Sequence, residues 1–377
     1  MKPLKIFPQV TVTAILLAMV TFSVFGTVNN SNTPSKGEWE FKLEKVWEIS
    51  HADELLLAFP DQLMVSDDET LYVKDDKEKI IHIFNKEGKY IKSFGEKGEG
   101  PGELKHHLQL YPADDKIVGA DVDRLHYFTR DGVYIRSVNN FFFRHRVEFF
   151  LNENEFITFP LGPRDMPVGG VGKITRYNLT TSSETPLAEF SVFSGGTSGR
   201  ESIIKEGLTP MMVLGREPGG KRFYYGVNDA YAINIMDMKG KALDSFSVKR
   251  NKLKVSEKSK EHLFASQKKY MPPEKLKQIM NSTPDVSTYF YRIEVIGGMV
   301  YVFVPDVNTG SHPSQIDIFT PRGKYLYKAH IRPGKQLTHI FSPFHNLIFK
   351  NNHLYMVIEN ENNEIKVVKY KVSLPTL

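Results

Sequence analysis

A unit of strands and turns recurs along the chain, and this repetition constrains the fold more than any other feature. Over residues 59–104, four short runs of β-branched and aromatic residues are separated by Asp, Asn, Glu, Lys and Gly, as strands bounded by turns would be. Between the third and fourth runs, the loop NKEG at 85–88 predicts a hairpin built on a type I turn, with Gly88 at positive φ. The unit therefore predicts a small antiparallel sheet.

The third strand of this unit returns throughout the chain. An aromatic residue or Met marks each copy, and a branched aliphatic residue precedes it by three positions. The marker residues are Phe84, Phe128, Tyr177, Met236, Phe319 and Tyr370, and the aliphatic residues are Ile81, Leu125, Ile174, Ile233, Ile316 and Val367. The turn glycine recurs as Gly88, Gly132, Gly240 and Gly323. Because four strands form one blade, six copies predict an all-β, six-bladed β-propeller of four-stranded antiparallel blades.

A glycine-rich exit follows the first unit and carries a family resemblance. Residues 95–104 read GEKGEGPGEL. The positions that match the motif G-x-x-G-x-G-P-G-E are Gly95, Gly98, Gly100, Pro101, Gly102 and Glu103. The unit resembles the NHL-like repeat of bacterial six-bladed β-propeller proteins, strongly over one blade and weakly from Trp39 onward. The resemblance implies an architecture and a binding surface rather than a reaction. We interpret the motif as a tight connection between blades, with Glu103 accepting hydrogen bonds from neighbouring amides.

The amino end has the layout of a secretory signal peptide. Lys2 and Lys5 precede an uncharged apolar run over residues 10–25, which is shorter than the ~20 residues that a spanning helix needs. Cleavage after Gly26 is the favoured interpretation, and an uncleaved membrane anchor through residues 10–25 is the alternative. Both place the bulk of the chain outside the cytoplasm, in the periplasm or the extracellular space. The chain contains no Cys, so it has neither a disulfide nor a lipoprotein attachment site.

The segments that flank the repeats complete the domain plan. Residues 1–26 are predicted as the signal peptide, and residues 27–38, which are short and polar, as a flexible tether. Residues 39–49 alternate in the manner of a strand. We expect this strand to close the ring by joining the last blade, whose repeat copy stops at Val372 without a further strand. Residues 39–377 would then form one propeller.

One segment breaks the β rhythm between the fourth and fifth copies. Residues 256–282 are rich in helix formers and predict two helices, with Ser256 as an N-cap and Pro273 in the first turn of the second helix. Pro272 is expected to end the first helix. The insertion would either cover a pocket as a lid or shield an exposed edge.

Basic and aromatic residues alternate where the third blade is expected to begin. The run FFFRHRVEFF at 141–150 can clamp an anionic or aromatic ligand, although a strand that packs its aromatics between blades gives the same pattern. The run LGPRDMPVGGVG at 161–172 has the composition of a long face loop, where propellers tend to carry binding groups. The binding candidates are therefore Arg144, His145, Arg146, Arg164 and Asp165.

No catalytic residues are predicted. His82 and His126 occupy equivalent positions in adjacent copies, which favours packing over a unique catalytic role. Acidic residues close the second strands at Asp75, Asp121, Asp306 and Glu359, where they would cap turn amides. No cofactor and no metal-ligating residue is predicted, with calcium kept open because other propellers bind it through loop carboxylates.

Two function classes remain open at this stage. The first is an exported binding or scaffold module that recognises a peptide, a glycan or a partner protein through a propeller face or the central channel. The second is a metal-dependent hydrolase or lyase similar to the six-bladed lactonases, which would need carboxylate, Asn or His side chains converging on the ring axis. The formal net charge of +5 falls to +3 without Lys2 and Lys5 and does not indicate nucleic acid binding. We expect a monomer that contacts a membrane only if the amino-terminal segment stays attached.

Overall fold

The structure is a computed structural model of the 377-residue chain. It describes residues 26–50, 57–104, 108–121, 124–139, 145–160, 170–191, 208, 210–263, 272–305, 315–331, 339–340, 346–359 and 364–376. Six antiparallel sheets follow one another along the chain, and each forms one blade.

The strands are numbered in chain order. Three lie before the first blade: β1 (Thr27–Asn30), β2 (Glu38–Glu40) and β3 (Leu43–Ile49). Blade one contains β4 (Pro60–Val65), β5 (Leu71–Asp75), β6 (Ile80–Phe84) and β7 (Tyr90–Phe94). Blade two contains β8 (Gln109–Ala113), β9 (Lys116–Ala120), β10 (Arg124–Thr129) and β11 (Tyr134–Asn139). Blade three contains β12 (His145–Asn152), β13 (Glu155–Pro160), β14 (Val171–Asn178) and β15 (Ser183–Ser191).

The second half of the ring has the same plan. Blade four contains β16 (Met212–Arg216), β17 (Arg222–Val227), β18 (Ala232–Asp237) and β19 (Ala242–Val248). Blade five contains β20 (Arg292–Ile296), β21 (Met299–Val304), β22 (Gln315–Phe319) and β23 (Tyr325–His330). Blade six contains β24 (His339–Ile340), β25 (Leu347–Lys350), β26 (His353–Glu359) and β27 (Ile365–Val372), together with β3. The predicted repeat copies are the third strands β6, β10, β14, β18, β22 and β27, as expected.

The hydrophobic core lies between neighbouring blades rather than at one centre. Six large apolar clusters are present, and each combines side chains from two adjacent blades. Leu71 of blade one, for example, packs in one cluster with Tyr355 and Val357 of blade six. Since one such cluster fills every junction from blade one round to blade six, the ring is closed.

An amino-terminal strand closes the ring, as predicted, but it begins at Leu43, and Trp39, predicted in the same strand, lies in β2 beside blade five. β3 pairs antiparallel with β27, with Leu43 opposite Val372 and Ile49 opposite Val367. Trp47 of β3 then reaches blade one, where its indole Nε1 donates a hydrogen bond to the Lys86 carbonyl at 3.0 Å. Backbone hydrogen bonds and one large side chain therefore join the two ends of the propeller.

The structure differs from the flexible tether expected over residues 27–38. Thr27–Asn30 pairs in parallel with β19 of blade four, and Glu38–Glu40 pairs in parallel with β23 of blade five. The side-chain amide nitrogen of Asn30 (Nδ2) also donates a hydrogen bond to the Gly323 carbonyl at 2.9 Å, which joins blade four to blade five. A strand on the outer edge of a blade is held by backbone hydrogen bonds, so it needs no apolar periodicity, and this is why a polar segment forms one.

The turn glycines serve both conformation and packing. Gly88, Gly132, Gly240 and Gly323 all have φ between 79° and 87°. A Cβ on Gly132 would lie 2.5 Å from the ring of Phe94, which belongs to the preceding blade, and a Cβ on Gly323 would overlap Phe246 in the same way. Glycine is therefore favoured at these turns by the backbone angle and, at Gly132 and Gly323, also by the close approach of the preceding blade.

Two helices form the predicted insertion between blades four and five. They are α1 (Glu257–Leu263) and α2 (Pro273–Asn281). The Ser256 hydroxyl accepts a hydrogen bond from the Ser259 amide at 3.1 Å, which confirms it as the N-cap. Pro273 occupies the first turn of α2, while the residues directly before Pro272 lie outside the described ranges.

No helix within the described ranges is both long enough and apolar enough to cross a lipid bilayer. The segment predicted as a signal peptide, residues 1–25, lies outside those ranges.

Candidate functional site

The innermost strands of all six blades surround a cavity of about 440 Å³. The lining includes Gln62 of β4, Leu110 of β8, Arg146 of β12, Arg216 of β16, Arg292 of β20 and Lys350 of β25. A cavity with a wall from every blade is the central channel of the propeller. None of its lining residues in the described part of the chain comes from α1 or α2.

The wall that blade three contributes carries an ion pair. The Nε atom of Arg146 lies 2.7 Å from Oε1 of Glu148, and both side chains are largely withdrawn from solvent. Burial raises the pKa of the Glu148 carboxyl, and the positive charge of Arg146 opposes that rise. The pair therefore holds a carboxylate at the channel at an electrostatic cost.

Blade five repeats this arrangement. Arg292 and Glu294 form an ion pair on β20, and Arg292 also donates a hydrogen bond to the Leu347 carbonyl of blade six at 2.6 Å. The Arg292 guanidinium stands 5.0 Å from the centre of the Phe303 ring. Two of the six innermost strands thus carry an R-x-E sequence with its charges paired inside the channel wall.

Blade four contributes an arginine with a different environment. Arg216 is partly buried, donates a hydrogen bond to the Phe150 carbonyl of blade three, and lies 5.4 Å from the centre of the Phe149 ring. Burial lowers the pKa of its guanidinium, and the negative charge of Asp67 in blade one acts in the opposite direction. In the described ranges, Arg216 forms no ion pair with a carboxylate.

The remaining polar groups of the wall are occupied by the fold. The Gln62 side chain donates to the Leu110 carbonyl at 2.8 Å and accepts from the Leu110 amide at 2.7 Å, so it bridges β4 and β8. Lys350 pairs with Asp67 of blade one at 2.6 Å. These contacts join neighbouring blades around the channel.

Of the predicted binding residues, one lines the channel. Arg146 is part of the blade-three wall. His145 belongs to β12, but its side chain lies outside the description, as do Arg144, Arg164 and Asp165 entirely. The role of all five in binding stays a prediction.

The glycine-rich motif forms a compact connection between blades one and two. Oε2 of Glu103 accepts a hydrogen bond from the Gly100 amide at 2.8 Å, and Gly102 has a φ of 83°. A Cβ on Gly98 would overlap the Glu103 carboxylate, so glycine is needed there for space. The geometry agrees with the structural interpretation of the motif, including Pro101 at its centre.

The histidines and acidic residues singled out in the sequence have structural partners where they are described. His82 and His126 each form a hydrogen bond through Nδ1 to a serine of the next strand, Ser93 at 2.7 Å and Ser137 at 3.0 Å. Asp75 is fully buried and accepts hydrogen bonds from four backbone amides. Asp306 and the side chain of Glu359 lie outside the description. Within the described ranges, no group of three or more His, Asp or Glu side chains could hold a metal ion.

Sequence reasoning missed most of the channel wall. Glu148, Arg216, Arg292, Glu294 and Lys350 were not predicted as site residues. A signal existed in the R-x-E sequences at 146–148 and 292–294, which share a place in the repeat. It was hidden because the innermost strands have no turn glycine or aromatic marker to align them.

Comparisons with known proteins agree with this architecture. The family model DUF5128, described as a 6-bladed beta-propeller, matches residues 48–139, which include blades one and two. The chain is a six-bladed β-propeller. No curated protein gives a significant sequence match.

Two solved Bacteroides structures show the same fold over nearly the whole chain. A member of the DUF4221 family from Bacteroides vulgatus has a TM-score of 0.54 at 12% identity, covering 89% of this chain and 99% of its own. A candidate exported protein from Bacteroides fragilis has a TM-score of 0.52 at 10% identity, covering 93% and 99%. A streptogramin B lyase reaches a TM-score of 0.44 at 12% identity, covering 88% and 98%. At these identities the likeness concerns the fold alone.

Proposed function

We propose that the protein is an exported binding module that holds its ligand in the central channel. The observation that carries this proposal is the cavity of about 440 Å³ with a wall from every blade and charged side chains gathered in that wall. Small-molecule sites commonly have volumes of about 300–1,000 Å³. A cavity of this size suits a compact ligand, such as a short glycan or the end of a peptide, rather than a folded domain.

The chemistry of the wall favours binding over catalysis. Most charged groups there are held in ion pairs or bonded to backbone carbonyls, and the described residues offer no convergent set of metal ligands. A lactonase-like hydrolase would need such a set at the ring axis. The hydrolase or lyase alternative therefore has no supporting observation in the described part of the chain.

Export is supported by the sequence of the amino end. Two lysines followed by an uncharged apolar run form the expected layout of a signal peptide. A structural neighbour is described as a candidate exported protein, which agrees with this location. A fusion of residues 1–38 to alkaline phosphatase without its own signal should be active in a Gram-negative host. An inactive, cytoplasmic fusion would contradict export.

Channel binding can be tested by blocking the cavity. Pro218 is exposed and lines the channel mouth, so Pro218→Trp should fill space without disturbing the core. We expect at least one probe from a panel of glycylglycine, N-acetylglucosamine, glucose and glucuronate to raise the melting temperature of residues 27–377. The same probe should not protect Pro218→Trp.

A matched control places the same aromatic group outside the channel. Leu243 lies on β19 with 38% of its surface exposed, and Leu243→Trp should leave protection by the probe unchanged. Equal protection of wild type and Pro218→Trp, or no protection by any probe, would argue against channel binding.

A further inference from the structure

The positive groups of the channel outnumber the negative groups that line it. Arg146, Arg216, Arg292 and Lys350 face only Glu148 and Glu294 among the lining residues. Three of the four cations have a carboxylate partner: Arg146 with Glu148, Arg292 with Glu294, and Lys350 with Asp67 outside the cavity wall. Arg216 is the cation without one in the described ranges.

Because Arg216 is partly buried, the lack of a paired carboxylate in the described ranges lowers the stability of the folded protein. Its guanidinium is partly buried between blades three and four, beside the Phe149 ring and the Phe150 carbonyl. The carboxylate that acts on it, Asp67, is already paired with Lys350. A charge withdrawn from water without a directly paired counter-charge destabilises a protein. A neutral side chain of similar size would keep the packing against Phe149 but lose the cation–π contact and the hydrogen bond to the Phe150 carbonyl, and these two contacts occupy only part of the guanidinium.

The contacts that Arg216 makes with described residues leave part of the guanidinium unused. Arginine has five N–H donors in a planar fork that matches a carboxylate in a bidentate arrangement. The Phe150 carbonyl uses one side of this fork. Met212 and Leu214 of the same strand line the cavity together with Phe149, and they give an apolar surface next to the charge.

We propose that Arg216 forms an anion subsite and that the ligand of the channel carries a carboxylate on a compact apolar or ring-shaped body. This inference rests on the proposed function, because it names the ligand class of the same channel. The carboxylate would supply the direct ion pair that Arg216 lacks among the described residues. The body of the ligand would lie against Met212, Leu214 and Phe149.

The first test compares two probes that differ in one group. Sodium glucuronate has a carboxylate where glucose has a hydroxymethyl group, and benzoate offers the same carboxylate on a flat apolar ring. Calorimetric titration of residues 27–377, at constant ionic strength set with sodium chloride, should show at least one of these carboxylates binding about tenfold or more tightly than glucose.

Two variants test whether Arg216 causes the preference for a carboxylate. Arg216→Met keeps the length and apolar stem of the side chain but removes the charge, and it should lose the preference for the carboxylate. Arg222→Met removes the same charge from β17 outside the cavity, where Arg222 pairs with Glu217, and it should keep the preference. No preference in wild type, an unchanged preference in Arg216→Met, or binding of inorganic phosphate alone would overturn the proposal.

A second measurement needs no ligand. Arg216→Met removes a poorly compensated charge and also the hydrogen bond to the Phe150 carbonyl, and these two effects on stability oppose each other. If Arg216 exists for an anion, the ligand-free variant should therefore melt within about 2 °C of wild type. Glucuronate or benzoate should raise the melting temperature of wild type but not of the variant. A fall of several degrees in the ligand-free variant would make Arg216 a structural residue and overturn the proposal.

The two proposals fail in different ways. If neutral probes protect wild type but not Pro218→Trp, and carboxylates have no advantage, the channel binds a neutral ligand and the anion subsite is wrong. If no probe protects wild type, both proposals are wrong.

Discussion

The outer and inner halves of the blades follow different rules. In blades one and two, the outer strands repeat one hydrogen-bonded unit, in which a serine hydroxyl bonds both to a histidine and to a tyrosine. The units are His82, Ser93 and Tyr90 in blade one, and His126, Ser137 and Tyr134 in blade two. The innermost strands of the same blades share no such unit. They carry Gln62 in one blade and Pro112 in the other, whereas the innermost strands of blades three and five share an R-x-E ion pair.

This difference distinguishes residues that pack neighbouring blades together from residues that are candidates for contact with a ligand. Every blade must pack against two neighbours, so the positions that make those contacts are under the same constraint in each blade. The inner edge meets the channel, where each blade contributes a different part of one surface. A polar residue that repeats around the ring therefore indicates structure, and one that does not repeat near the axis is a candidate for ligand contact.

The largest expected effect on stability comes from a substitution that disrupts a buried polar cluster among the outer strands. Asp317 of β22 is fully buried and accepts hydrogen bonds from the Tyr231 and Tyr325 hydroxyls, each at 2.6 Å, while Arg250 lies 2.7 Å away. Asp317→Asn leaves the Arg250 charge without its partner. We expect a loss of about 3–5 kcal/mol in the free energy of unfolding, measured with urea.

The control for this prediction is Asp229, a paired carboxylate that is more exposed to solvent than Asp317. Asp229 pairs with Lys252 near the surface, and Asp229→Asn should cost no more than about 1 kcal/mol. Similar losses in the two variants would show that burial of Asp317 does not matter, contrary to the structure.

A somewhat smaller effect tests the repeated turn. Gly323 has a φ of 86°, and a Cβ there would overlap Phe246 of blade four. Gly323→Ala should reduce the free energy of unfolding by about 2–4 kcal/mol, from backbone strain and overpacking together. Gly219 has a φ of 74° with no atom near a new Cβ, so Gly219→Ala should cost only the backbone term of about 1–2 kcal/mol. If the two variants were equally stable, the contact between blades would not constrain the turn.

The pH dependence of an inner residue gives a smaller effect. Burial raises the pKa of Glu148 above its ordinary value of 4.5, so the folded protein keeps a proton that the unfolded chain releases. Stability of wild type relative to Glu148→Gln should therefore fall as the pH rises from about 4.5 through the raised pKa. Urea unfolding of both proteins at a series of pH values measures this difference, and a constant difference would contradict the assignment.

The smallest expected effect concerns His82 on an outer strand. Here stability falls as the pH falls, which is the opposite of the dependence expected for Glu148. Burial lowers the pKa of His82 below its ordinary value of 6.5. Between the lowered pKa and 6.5 the unfolded chain binds more protons, so wild type should lose stability as the pH falls below about 6.5. His82→Gln should reduce that loss, as followed by thermal melts on the acid side of neutrality. A loss of the same size in the variant would assign the acid sensitivity to another group.

The sequence predicts the outer half of this molecule well. Gly88, Gly132, Gly240 and Gly323 mark hairpins that the structure confirms, because positive φ at a turn restricts the residue type locally. The closing strand could also be predicted, since the last copy lacked a fourth strand. Thr27–Asn30 could not, because its pairing with β19 depends on an edge that lies more than 200 positions away.

The channel wall was beyond sequence reasoning for a different reason. Arg216 and Arg292 meet at one cavity only because the ring brings innermost strands of different blades together. For Arg216, nothing local distinguishes it from an arginine outside the cavity, such as Arg222. The common location of Arg216 and Arg292 follows from closure of the ring, which no single repeat encodes.

The edge strand β1 also has a mechanical consequence. It lies alongside β19 in parallel, from Thr27 opposite Ser245 to Asn30 opposite Val248, directly after the apolar amino-terminal segment. A pull on the chain ahead of Gly26 would run along the strand axis, so the hydrogen bonds of this pair would be sheared together rather than opened one after another. The load would enter the ring at blade four, and β3, the strand that closes the circle, would be protected from it.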